Sequence, residues 1–297
     1  MRTVPPPCLM LYYGAILPLA GAAVVLIVLS VLVLLAIAIL AVQVRASRRF
    51  RARVLRLGAG LHRAPVARDQ SARLPPVVAD LARRAGADLS RPLRVASFNQ
   101  TAELRTRRGG PFAPVRTWQM VALARPGFVW EARRDLGPLA LLRVLDAFVD
   151  NEGRLEARLL GSVPVARAEG EKINLAEAYR YLAELPWAPD AIIGNPDLQW
   201  RVLSDSRVEV RLQTRDGTAR VTFGLDAEGD IETVAAEARP VLMPDGTTRD
   251  LPWQGRFGDY ARVGPRRIPT YGEVGNVYED GLEIYFRGRI TEYHVAG

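Results

Sequence analysis

Between Leu19 and Val42 the chain runs for twenty-four residues with Ser30 as its only polar side chain. At 1.5 Å per residue such a helix is about 36 Å long, enough to cross a hydrocarbon core of about 30 Å. The run exceeds the apolar stretch of a secretory signal, Arg2 is the only charge before it, and no small-x-small cleavage pattern follows. The sequence therefore predicts a transmembrane helix over 19–44. A short lead covers 1–18, an Arg-rich juxtamembrane linker covers 45–74, and a folded domain covers 75–297.

Charge is distributed unevenly along the chain. The net charge is +8, yet residues 45–86 alone hold eleven Arg against Asp69 and Asp80. The rest of the chain is close to neutral, so the basicity is juxtamembrane and not a face of the folded domain. Arg45, Arg48, Arg49, Arg51, Arg53 and Arg56 read as a collar held at an anionic lipid surface. Nucleic acid is not an expected partner, because no basic face with interleaved aromatics is present. By the positive-inside rule the collar predicts a single-pass protein of the cell membrane with its C-terminal domain in the cytoplasm. Cys8 is the sole cysteine, which excludes an intrachain disulfide.

Past residue 74 the pattern changes. Pro75-Pro76 opens a short helix with Val77, Val78, Leu81, Ala82 and Ala85 on one face and Gly86 as its stop. Alternating segments follow: 95–105, 118–124, 128–133, 140–148 and 154–160, then 207–213, 219–225, 231–236, 282–286 and 289–295. Turns such as Asn151-Glu152-Gly153 and Arg215-Asp216-Gly217 separate several of them. One helix interrupts the series. Asn174 is its expected cap with Glu177 three residues on, and Leu175, Ala178, Tyr179, Leu182 and Leu185 form its apolar stripe. Arg180 and Glu184 make an i,i+4 pair on the opposite side, and Pro186 ends the helix. The predicted fold class is α+β, mostly antiparallel β. A curved sheet or open half-barrel holds an amphipathic helix in its concave face, and one transmembrane helix precedes it.

Motifs for catalysis and metal binding are missing. His62 and His294 are the only histidines, no second cysteine accompanies Cys8, and there is no Gly-x-Ser-x-Gly elbow. Gly58 and Gly60 lack the third glycine and preceding strand of a phosphate loop. Asp146, Asp150, Glu152 and Glu156 read as solvated carboxylates on exposed strand faces. No catalytic residue, metal or cofactor is expected. The aromatics are the better lead. Trp118, Phe128, Trp130, Trp187, Trp200, Trp253, Tyr271, Tyr285 and Phe286 lie in or beside strands or just after the helix. Most are expected to build core, and some to line a cavity between sheet and helix.

The series Gly127–Arg133, Asp146-Ala147-Phe148, Arg180–Glu184 with Trp187-Ala188-Pro189, Leu251–Gly255, Ile268-Pro269-Thr270 and Tyr285–Gly288 resembles an uncharacterised bacterial family. The resemblance spans about residues 75–297, and Trp187-Ala188-Pro189 departs slightly from that family's Trp-Phe-Pro. It implies an N-terminal membrane segment and assigns no activity. More loosely, the meander-plus-helix layout is similar to the periplasmic carriers of outer-membrane lipoproteins, which are unclosed antiparallel barrels that hold acyl chains. That likeness implies an apolar ligand but a compartment outside the cytoplasm, against the charge rule.

The resulting expectation is a non-catalytic, membrane-tethered module that binds a lipid or other apolar ligand through Phe128, Trp130, Tyr181, Trp187 and Tyr285. A structural protein engaging a membrane-protein partner, or an enzyme of unrecognised type using Glu184, are the alternatives.

Overall fold

A computed structural model describes residues 13–137 and 139–297; most of the expected lead, with Cys8, lies outside them. Helix α1 (Tyr13–His62) and α2 (Pro76–Arg84) come first. Six strands follow: β1 (Val95–Leu104), β2 (Ala113–Ala122), β3 (Phe128–Leu136), β4 (Leu139–Val149), β5 (Glu152–Leu159) and β6 (Val163–Ala168). Helix α3 (Glu171–Ala183), a 3-10 turn at Leu185–Trp187 and α4 (Pro189–Gly194) intervene. The chain finishes with β7 (Leu198–Ser204), β8 (Arg207–Thr214), β9 (Gly217–Leu225), β10 (Ile231–Leu242), β11 (Thr248–Val263), β12 (Arg266–Tyr278) and β13 (Gly281–Ala296).

All thirteen strands form one antiparallel sheet, ordered β6-β5-β4-β3-β2-β1-β13-β12-β11-β10-β9-β8-β7. Two meanders meet where the first and last strands pair, from Val95 opposite Ala296 to Leu104 opposite Phe286. Helix α3 touches β4 and β5 from one end of this order and β8, β9 and β10 from the other. Both ends of the sheet reach one helix only because the sheet curls around it. The expected half-barrel with a helix in its concave face is therefore what forms.

Alternation assigns the faces. On the concave side, Phe98, Gln119, Val121, Phe128, Trp130, Val144, Asp146 and Phe148 are all buried. On the convex side, Val95, Met120, Ala122, Val129, Leu145 and Ala147 form a second buried cluster with Phe50, Val54 and Leu61 of α1. Phe50, Val54, Leu57 and Leu61 recur at i, i+4, i+7 and i+11, one stripe of a helix. Thus the segment expected to be a linker continues α1 to His62 and lies along the sheet. Where α1 lies on them, β2, β3 and β4 bury both faces, with Met120, Ala122, Val129, Leu145 and Ala147 on the convex side.

Some local expectations change. Helix α3 starts at Glu171 behind Gly170 and not at Asn174. Asn174 instead accepts the Gly153 N–H at 2.7 Å and donates to Asp216 at 2.7 Å, tying the helix to two turns. The segments 282–286 and 289–295 are one continuous strand through Gly288. Strands β6, β7, β11 and β12 add to those expected; in β6, β11 and β12, Pro164, Pro252 and Pro269 break the alternation in the sequence. Among the described residues, one helix is long and apolar enough to cross a membrane, and its apolar window within Ala22–His62 is unburied.

Candidate functional site

Between α3 and the concave face lies a cavity of about 1320 Å³, above the ~300–1,000 Å³ of common small-molecule sites. Neighbouring strands alternate in direction, so the turns fall at two ends. Arg105–Arg108 of the β1–β2 connection, Met243, Pro244 and Gly246 of the β10–β11 connection, and Tyr278 all line the cavity. The lining includes no residue from the turns β2–β3, β4–β5, β9–β10 or β11–β12. That far end is filled by Val78, Leu81 and Ala82 of α2, Leu185, and Ile192 and Ile193 of α4. The cavity is thus plugged at the α2–α4 end, and its open side is lined by the β1–β2 and β10–β11 connections, Tyr278 and the exposed Glu169–Lys172 leading into α3.

The inner wall is aromatic. Trp130 meets Phe286 edge-on at 5.9 Å, and Trp187 meets Phe257 edge-on at 5.1 Å. Trp253 Nε1 donates to Tyr285 Oη at 2.9 Å, and Trp187 Nε1 donates to the Pro269 carbonyl at 2.8 Å. These bonds fix three ring planes on the wall of the cavity.

A charged cluster is set into this wall. Arg180 of α3 pairs with Asp146 of β4 and with Glu184 at 3.2 Å. Its guanidinium lies 4.7 Å from the Trp130 ring centre and 4.9 Å from that of Phe128. Arg239 of β10 covers Trp253 at 5.0 Å and approaches Glu177 at 4.0 Å. All five charged residues are buried or nearly so. Burial pushes the Glu177 carboxyl well above its ordinary range, and the Asp146 charge beside it pushes the same way. Burial also raises Glu184, against the pull of Arg180. Burial works against the Arg180 charge, but Asp146, Glu184 and Glu177 more than offset it and hold the guanidinium protonated. Trp130 Nε1, on the cavity lining, is buried without a hydrogen-bond partner, while Gln119 lies in hydrogen-bonding reach of Glu184 and Asp146 in reach of Glu177.

Trp130, Trp187 and Tyr285 therefore come together on the cavity wall. Phe128 and Tyr181 do not reach it. Phe128 is fully buried beneath Arg180, and Tyr181 Oη lies in the plugged end, accepting from Asn195 at 2.8 Å. Trp118 packs against α1 on the convex face, and Trp200 stacks on Phe223 at 6.3 Å. Asp146, expected on a solvated face, is buried on the concave one. Arg180 and Glu184, expected on the outer side of α3, face the cavity, because a helix inside a curled sheet has no solvent side along most of its length. Glu177, Arg180 and Glu184 recur at i, i+3 and i+7, the one sequence signal for this cluster. Trp253 and Phe286 stood among the expected aromatics, while Phe257 and Arg239 had no signal, since the sheet curl alone brings β10 and β11 opposite α3.

The fold and site define a curled antiparallel half-barrel with a one-ended cavity under an internal helix. The chain belongs to a family of unknown function, DUF6544, whose model matches residues 64–288. No curated protein matches it. Among solved structures it is similar to a LolA superfamily protein from Nitrosomonas europaea, at 10% identity and a TM-score of 0.39 over 73% of this chain and 93% of that one. It is also similar to a DUF1329 family protein from Desulfovibrio piger, at 11% identity and a TM-score of 0.41 over 74% and 93%. A putative outer membrane lipoprotein-sorting protein domain from Vibrio parahaemolyticus shares 10% identity at a TM-score of 0.39, over 68% and 85%.

Proposed function

We propose that this protein is a membrane-tethered binding module that holds a lipid or other largely apolar molecule in the half-barrel. The observation that carries this reading is the open-ended cavity of about 1320 Å³ walled by Trp130, Trp187, Trp253, Tyr285 and Phe286. Aromatic walls favour an apolar body, and the charged side chains around Arg180 together with the unpartnered Trp130 Nε1 favour one polar group on it. The apolar stretch of α1 supplies the tether, and the exposed Arg45, Arg48, Arg49 and Arg51 support a cytoplasmic position for the domain. No catalytic step is part of this reading, because the buried carboxylates are engaged by Arg180 and Arg239.

Native extraction of the full chain and mass spectrometry of what travels with it tests the proposal. A stoichiometric lipid is expected with the wild type. It is expected to be lost from Trp130→Ala, and also from Val274→Trp, which fills the cavity from its half-buried wall. An empty wild-type protein that also fails to take up added lipid sinks the idea.

A further inference from the structure

The open end of the cavity is also the end at which the apolar part of α1 joins the domain. The β5–β6 turn abuts α1 there: a Cβ on Gly161 would overlap Ser47 and lie 3.3 Å from Gln43 Cγ and 3.1 Å from Ala140 Cβ. Gly161 also has φ +67°, so glycine is required on both counts. Gln43 and Ser47 come directly after the apolar run, whose last residue is Val42.

Around this junction the domain exposes apolar side chains that a soluble surface would not gather. Leu136 (63% exposed) and Leu139 flank the β3–β4 turn, and Leu159, Leu160 (50%) and Val163 (51%) flank the β5–β6 turn. The two hairpins are neighbours, since Leu142 pairs with Leu159 and the Leu160 N–H donates to the Leu141 carbonyl at 3.0 Å. Exposed Arg134 and Asp135 precede the β3–β4 turn, and exposed Arg45, Arg48 and Arg49 lie on α1 on either side of Ser47, which meets the β5–β6 turn. An apolar tip beside arginines and continuous with a membrane-length helix matches an anionic bilayer surface, apolar core below and phosphates above. Strand β6 leads from this tip to the cavity. Val163 stands at the tip, and Val165, also exposed, already belongs to the cavity lining. It is an edge strand, with no neighbour on its far side.

We infer that the β3–β4 and β5–β6 hairpin tips enter the same bilayer leaflet as α1, so that the cavity mouth stands on the membrane. A lipid then passes between leaflet and cavity along β6 without crossing water. This rests on the tethered reading above and adds to it the orientation of the domain and the route of the ligand.

The test uses the full chain with Cys8 replaced by Ser, reconstituted in vesicles of phosphatidylethanolamine and phosphatidylglycerol that contain a spin-labelled lipid quencher. One environment-sensitive fluorophore is placed at a time, at Leu34→Cys in the span, Leu160→Cys at the tip, or Glu228→Cys in the β9–β10 turn at the opposite end. The Leu160 probe is expected to be blue-shifted and quenched at least half as strongly as the Leu34 probe, with the Glu228 probe unaffected. A Leu136→Cys probe on the neighbouring hairpin is expected to repeat the result. Quenching at Leu34 with both tips as wet as Glu228 overturns the inference and leaves the tether standing. No quenching at Leu34 overturns the tether and this inference together.

Discussion

Arg266 grips Asp190 with two parallel hydrogen bonds, Nε to Oδ2 and Nη2 to Oδ1, each 2.8 Å long, and both side chains are almost fully buried. Asp190 also accepts the Asp88 N–H at 2.9 Å. The pair joins α4 to the start of β12 and to the loop after α2, which closes the plugged end of the half-barrel. Removing either partner strands a buried charge, so Asp190→Ala or Arg266→Ala is expected to cost about 3–5 kcal/mol in denaturant unfolding of the full chain in detergent. Arg266→Lys, which cannot form the fork, is expected to recover only part of that loss.

Stability should fall as pH rises. The folded state holds a proton on Glu177 above its ordinary value of 4.5, and Glu184 is raised in the same direction. Such groups stabilise the folded state fully below the ordinary carboxylate range, and that contribution is lost as pH climbs through the raised value. Glu177→Gln keeps the neutral form at every pH. Its melting temperature is expected to decline less with pH than that of the wild type, and parallel declines would rule out a proton on Glu177.

Gly272 leaves room for a ring. A Cβ there would lie 2.6 Å from Trp187 Cζ2, against a side chain already wedged on Phe98 and Phe257. Gly272→Ala is expected to destabilise by about 1–3 kcal/mol and to displace Trp187 into the cavity. A shift in tryptophan emission together with weaker lipid retention would report that displacement.

Helix α1 is part of the domain core through Phe50, which is 1% exposed on the convex face. Phe50→Ala is expected to cost about 3–5 kcal/mol. Leu55→Ala on the outward side of the same helix, where Leu55 is 55% exposed, should change little. Equal small effects at both positions would mean that α1 does not pack on the sheet in solution.

The sequence by itself determined what depends on local periodicity and composition. The length of the apolar run, the Arg surplus after it, the alternation in β1–β5 and the apolar stripe of α3 each rest on residues close in the chain. Trp130, Trp187 and Tyr285 were also within reach, because bulky aromatics in an alternating meander have few places to go. Tertiary structure decided the rest. Whether Asp146 meets water or Arg180 depends on which face of the sheet curls inward, and one strand cannot specify that. Phe128 and Tyr181 are as aromatic as Trp130, yet both lie outside the cavity wall, because depth inside a half-barrel is set by contacts between elements more than fifty residues apart, such as Phe128 with Arg180 and Tyr181 with Ala122. The Asp190–Arg266 clamp and the meeting of β1 with β13 are of the same kind. They join distant segments through contacts that leave no periodic trace, and only closure of the sheet around α3 brings them together.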